Sequence, residues 1–164
     1  MGSRSGDIDP AIIFYMQREL GLSVDEVDKV LNKNSGLLGI CGDNDLRTIL
    51  ESKSEKSILA LNIMIRRIKK YIGAYSVVLG KVDAVIFTGG IGEHAAKVRE
   101  MVCEGLNHSI GLKIDLVKNQ NIPSGNQAIH SEESKIKLFI IPTNEELEIA
   151  RQTEYLLFET SLDQ

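Results

Sequence analysis

The sequence predicts an α/β fold, a small sheet with several helices, and three segments carry that prediction. The first is the apolar run Val82-Asp83-Ala84-Val85-Ile86-Phe87, which ends in Thr88-Gly89-Gly90-Ile91-Gly92-Glu93-His94. Dense β-branched residues followed by a glycine cluster read as a buried strand, a tight turn and the start of a helix. The second is residues 135–141, where Ile136, Leu138 and Ile140 alternate into a strand that ends at Pro142-Thr143-Asn144. The third is residues 54–79, where Ile58, Leu61, Ile65, Ile68 and Ile72 step by three and four along one helical stripe.

The other elements follow in chain order. Residues 1–8 are rich in Gly, Ser and charge and form a loop, and Asp9-Pro10 opens a helix over 11–20 that Gly21 stops. Ser23 caps a second helix with Glu26 at the capping-box position. Asn34-Ser35-Gly36 closes this pair, the short apolar piece Leu37-Leu38-Gly39-Ile40 follows, and Asp43-Asn44-Asp45 opens a short helix over 46–52. Ile63, Met64, Tyr71, Tyr75 and Val78 widen the long stripe, so that helix is expected to be heavily buried. Arg66, Arg67, Lys69 and Lys70 on its remaining face read first as a solvated surface, and second as part of a ligand mouth or subunit contact. After the glycine turn a helix runs to about 106, Ile110, Leu112 and Ile114 suggest a strand, and the polar stretch 117–134 reads as an exposed loop. A final helix over 145–158 is expected to pack Leu147, Ile149, Ala150, Leu156 and Leu157.

Composition narrows the class of function. The 164 residues suffice for one domain with a core, with 43% hydrophobic and 26% charged residues. A net charge of -4 argues against nucleic acid as a partner, and without Trp there are few platforms for base stacking. No apolar run approaches the ~20 residues that span a bilayer, and no signal-peptide pattern opens the chain, so the expectation is a cytoplasmic protein without a membrane partner. Cys41 and Cys103, far apart in sequence, suit a reducing compartment.

The glycine turn is neither a Walker loop, for no Gly-Lys-Ser/Thr follows, nor a dinucleotide fingerprint. Read alone, it fits a plain strand-to-helix connection as well as a nucleotide site. If both strands lie in one parallel sheet, the ends at Thr88 and Thr143 are neighbours, where open α/β sheets bind ligands. Glu145 and Glu146 at a helix start are explained by the helix dipole, or by one of them facing Mg²⁺ beside nucleotide phosphates. Arg4, in a glycine-bracketed loop, is either solvated or holds a phosphoryl or carboxylate group. His94, His108 and His130 are dispersed and make no metal spacing, and no serine-hydrolase elbow is present.

Four segments together resemble one family. They are Met1-Gly2-Ser3-Arg4-Ser5-Gly6-Asp7-Ile8-Asp9-Pro10; Asn34-Ser35-Gly36-Leu37-Leu38-Gly39-Ile40 with Asp45-Leu46-Arg47; Phe87-Thr88-Gly89-Gly90-Ile91-Gly92-Glu93; and Pro142-Thr143-Asn144-Glu145-Glu146-Leu147. In this order they resemble the acetate kinases, in the acetate/propionate kinase group of the actin-like ATPase superfamily. The match covers residue 1 to about residue 155. The resemblance implies a ribonuclease H-like fold and reversible phosphoryl transfer between ATP and acetate, giving acetyl phosphate and ADP. It implies Mg²⁺ or Mn²⁺ as the metal and a homodimer as the assembly.

Carried over one residue at a time, Arg4 would stabilise the transferring phosphoryl group. Asp45, Leu46 and Arg47, with Gly90, Ile91, Gly92, Glu93 and His94, would line the adenosine pocket. Glu145 would help hold the metal, with Glu146 as the alternative. The family usually has Asn at the position of His94 and Ser near Cys41 and Asn44, which bears on the adenosine contacts. In the family the motif around Arg4 lies past the middle of the chain, so the resemblance is to a C-terminal portion. The resemblance implies that the matched portion does not include the family's N-terminal domain, active-site His and phosphate loop. The expectation is a nucleotide-binding part of an acetate kinase, inactive alone, with a separate N-terminal chain as one possible partner. Propionate kinase, and a non-catalytic nucleotide-binding or dimerisation module, are the alternatives.

Overall fold

The computed structural model of the chain describes residues 1–159 and divides into two compact units, residues 1–80 and a second that begins at Lys81.

The first unit is helical. It contains α1 (Ala11–Arg18), α2 (Val24–Lys33), α3 (Gly36–Cys41), α4 (Leu46–Glu51) and α5 (Glu55–Leu79). The expected capping box closes at the start of α2: Glu26 N–H donates to Ser23 Oγ at 3.3 Å, and Ser23 N–H donates to the Glu26 carboxylate at 2.8 Å. The apolar piece after Ser35 is a short helix, α3, that ends at Gly42 in the left-handed region. The core of this unit is Met16, Val27, Leu37, Ile49, Ala60, Met64 and Ile65.

The long helix is less buried than its stripe predicts. Only Ser57, Ala60, Met64 and Ile65 are buried, all in its N-terminal half, where α3 and α4 pack. Ile58, Ile63, Tyr71, Tyr75, Val77, Val78 and Leu79 are exposed, as are Ile12, Ile13, Phe14 and Tyr15 of α1. Periodicity reports which residues share a face, and a helix longer than its neighbours carries that face beyond them.

The second unit holds a sheet of three strands in the order β1-β3-β2, with β1 (Ala84–Phe87), β2 (Gln127–Ala128) and β3 (Lys137–Ile140). Strands β1 and β3 are parallel, with Ala84 opposite Lys137 and Phe87 opposite Ile140, and β2 runs antiparallel to β3. The helices are α6 (Gly89–His94), α7 (Ala96–Cys103), α8 (Leu106–Ile110), α9 (Leu116–Gln120) and α10 (Glu145–Glu159). The core is built from Val98, Val102, Leu106, Leu112, Ile129, Ile136, Leu138 and Ile140.

Three expectations are corrected here. The segment around Ile110–Ile114 is not a strand: Gly105 and Gly111, both at positive φ, bracket helix α8, and Ile114 makes one isolated bridge to His130. Leu112 is buried, so the alternation reported burial rather than a ladder. The stretch 117–134 is not all loop, because Asp115 caps α9 by accepting from Val117 N–H at 2.9 Å and Lys118 N–H at 3.0 Å. Finally, Leu147, Ile149, Leu156 and Leu157 of α10 are exposed. No described helix is long and apolar enough to cross a membrane.

Candidate functional site

In the first unit, Arg4 sits in a loop with two anchors. One is the start of α3, where Ser35, Leu37 and Leu38 N–H donate to the carbonyls of Ser3, Met1 and Gly2 at 2.8, 3.1 and 2.9 Å. These are amides that no intrahelical carbonyl reaches. The approach is so close that a Cβ on Gly36, at φ +63, would lie 2.5 Å from the Met1 carbonyl oxygen. The other anchor is α5: Arg67 donates to the carbonyls of Ser5, at 2.7 Å, and Asp7, and the Tyr71 hydroxyl donates to the Asp7 carboxylate. That bond to Asp7 raises the Tyr71 pKa. The Arg4 side chain is exposed, and its Nε donates to Asn32 Oδ1 at 3.3 Å.

Arg67 therefore does not belong to a purely solvated basic face. It shares a helix face with Tyr71 at i, i+4, and the pair holds the loop that carries Arg4. Charge periodicity could not show this, because the acceptors are backbone carbonyls about sixty residues earlier in the chain.

Asp45 and Arg47 form one unit of structure. Asp45 caps α4 by accepting from Arg47 N–H at 2.9 Å, and its carboxylate takes a two-pronged bond from the Arg47 guanidinium, Nε at 3.1 Å and Nη2 at 2.6 Å. These bonds hold the Asp45 pKa down at about 2 and raise that of Arg47. The Arg47 side chain is 88% exposed, so its outer N–H groups face solvent. Leu46 is half-buried at the first position of α4.

In the second unit, parallel pairing of β1 and β3 makes the two strand ends neighbours, as the sequence suggests for a common sheet. Glu93 joins them: its carboxylate accepts from Thr143 N–H at 3.0 Å and Thr143 Oγ1 at 3.3 Å. The glycine turn folds as α6. Gly92 is buried against β1, where a Cβ would lie 3.1 Å from the Phe87 carbonyl carbon. Gly90 differs: it has no positive φ, and a Cβ there would meet nothing within 4 Å. Nothing in the chain's own packing calls for glycine at this position. Ile91 and His94 are exposed.

A cleft of about 500 Å³ opens beside this end of the sheet, lined by Glu93, His94, Arg99, Asn119, Ile140 and Pro142 among others. Residues 122–125 form part of its rim. The sequence reading missed this wall because the stretch looked like plain polar loop. The readable signal was Asp115 before Leu116-Val117, an N-cap followed by a short helix that buries Asn119.

Glu145 and Glu146 lie in the first turn of α10, and both are exposed. Asn144 starts that helix by accepting Leu147 N–H at 3.0 Å. Among the described residues no three His, Cys, Asp or Glu side chains gather as a metal cluster. Such a cluster is not needed by Mg²⁺, which commonly binds through one or two carboxylates together with phosphate oxygens and water, so Glu145 fits that chemistry.

The family model that matches this sequence, described as the acetokinase family, covers residues 1–151. An acetate kinase of Sulfurovum sp. (strain NBC37-1) is 56% identical over 160 residues, covering 96% of this chain and 40% of that protein. The crystal structure of Porphyromonas gingivalis acetate kinase superposes with a TM-score of 0.85 at 37% identity, over 96% of this chain and 40% of the other. A propionate kinase structure from Francisella tularensis subsp. tularensis SCHU S4 gives a TM-score of 0.83 at 43% identity, over 92% of this chain and 38% of the other. The chain thus spans about 40% of the length of the curated relatives it matches.

Proposed function

The chain belongs to the acetokinase family, and on that premise we propose that it is the nucleotide-binding part of an acetate kinase, an enzyme that moves a phosphoryl group between ATP and acetate. The observation that carries this reading is the joined pair of strand ends. The turn at Gly90–His94 and the carboxylate at Glu145 follow β1 and β3, which are parallel neighbours, and Glu93 ties one end to the other. In open α/β sheets that edge is where ligands bind.

In this reading Gly90 and Ile91 offer a bare backbone ledge to the adenosine, and His94 contributes a polar contact. Asp45 fixes the orientation of Arg47, which presents its exposed guanidinium to the nucleotide. Arg4, held by its twice-anchored loop, neutralises charge on the transferring phosphoryl group. Phosphoryl transfer depends on such positioning and charge stabilisation more than on covalent help from the protein. Glu145 would hold magnesium together with the nucleotide, and the ion would supply neutralisation of the phosphate oxygens.

Arg4 and Glu145 address only the phosphoryl side of the reaction, and groups that act as a unit lose most of their effect when separated. The chain alone is therefore expected to give no acetyl phosphate in a coupled assay, and turnover near that of an intact kinase would overturn this. The metal role has its own test. ADP should bind the chain more tightly with Mg²⁺ than with EDTA, and E145Q should lose that difference. Should E145Q keep the full Mg²⁺ effect, Glu145 is not the ligand.

A propionate kinase is the second reading, favoured by the likeness to the Francisella protein. A homodimer is supported by the exposed apolar residues on α1 and the C-terminal half of α5.

A further inference from the structure

Beneath the glycine turn lies a buried cation whose bonds go to oxygens of amides and carbonyls. Arg99 on α7 is fully buried, at 0% exposure, as is Asn119 on α9. Arg99 Nε donates to Asn119 Oδ1 at 2.7 Å, and Nη2 donates to the Asn119 carbonyl at 2.9 Å. Nη1 donates to the carbonyls of Gly92 at 2.8 Å and Glu93 at 3.0 Å. Asn119 Nδ2 closes the network by donating to the Ala96 carbonyl at 2.9 Å. None of the ion pairs among the described residues involves Arg99.

A guanidinium buried with no carboxylate paired to it, and with Cys103 as its electrostatic neighbour, is costly unless its N–H groups are satisfied, and a neutral side chain of that volume packs more cheaply. What only arginine supplies is a rigid planar fork that reaches several acceptors at once. Two of those acceptors, Gly92 and Glu93, are among the last carbonyls of α6, which lack intrahelical partners. A positive charge is also favourable at that end of a helix. The turn is thus held on two sides, by the close seat of Gly92 on Phe87 and by the Arg99 fork. Both Arg99 and Asn119 also line the cleft that Glu93 and His94 share.

We propose that Arg99, braced by Asn119, is the positioning residue of the nucleotide-contacting turn: by clamping the Gly92 and Glu93 carbonyls it fixes the ledge of Gly90 and Ile91 and the placement of His94. It acts through that backbone and does not itself touch the phosphates. The proposal rests on reading Gly90–His94 as the nucleotide contact, and the test separates the two.

The test is calorimetric titration of the 164-residue chain with MgADP, for wild type, R99K and N119S, with thermal unfolding recorded alongside. R99K keeps the charge and loses the fork, and N119S leaves the arginine and removes its brace. Each is expected to weaken MgADP binding about tenfold, the scale of one lost charge-assisted hydrogen bond. Unchanged affinity in a variant that is folded but less heat-stable would show a structural role only and overturn the proposal. If wild type binds no MgADP, the nucleotide reading itself fails and the proposal falls with it. A spectroscopic arm on wild type needs no variant to fold. The Arg99 Nε–H resonance is expected to shift when MgADP saturates the chain, and an unmoved resonance with nucleotide bound would overturn the clamp.

Discussion

Gly90 is the residue at which structure and ligand chemistry part most clearly. It lies in the helical turn α6 with no positive φ, and a Cβ there would meet open space. G90A should leave the fold intact and raise its stability slightly, since alanine is favoured over glycine in a helix by ~0.5–1 kcal/mol. On the proposed reading MgADP affinity should fall severalfold, because the methyl group would stand on the ledge proposed to meet the nucleotide. Equal affinity in a stabilised G90A would show that Gly90 is no ledge for the nucleotide. Asp45 gives a prediction in pH. Its carboxyl is held at about 2 by Arg47, below the ~3.9 of an unfolded chain. Its contribution is therefore fully present above pH ~4 and is lost as pH falls through the folded value near 2. NMR titration of the Asp45 carboxyl carbon should show this low midpoint in wild type, and R47A should move it up toward the ordinary range. A midpoint in R47A equal to that of wild type would separate the two side chains.

At the scale of elements, the Arg4 loop seats closely on the backbone at the start of α3. G36A places a Cβ against the Met1 and Arg4 carbonyls and forces an L-residue to positive φ. The left-handed backbone alone costs ~1–2 kcal/mol, so G36A should destabilise by about 2 kcal/mol or more in denaturant unfolding. A loss within a few tenths would mean that the loop moves freely. Much of this architecture was legible. The capping box at Ser23 and Glu26, the strand ending at Phe87 and the alternation of Ile136, Leu138 and Ile140 are local signals, and each element stands where the pattern puts it. Strand β1 is nonetheless not the buried strand its apolar run predicts, for its residues alternate between exposed and half-buried. What was illegible depends on distant partners. Alternation at Ile110, Leu112 and Ile114 cannot distinguish a strand from a chain that merely dips into a core. Arg67 and Arg99 carry charges that look like surface residues, yet their partners are backbone carbonyls chosen by the fold. Of the candidate site, Asp45, Glu93 and Asn144 were found as positions, but their bonds to Arg47, Thr143 and Leu147 emerged only from the structure.

At the scale of the whole molecule, the residues proposed for nucleotide and metal fall in both units: Arg4 and Asp45–Arg47 in the first, Gly90–His94 and Glu145 in the second. The chain belongs to the acetokinase family and spans about 40% of the length of its curated relatives. Central to the proposed function is that this chain binds the adenine nucleotide by itself. Titration calorimetry of the chain with MgADP tests it directly. Saturable one-to-one binding that EDTA weakens is expected; the absence of any binding heat up to millimolar MgADP, in a chain that is folded, would overturn the proposal.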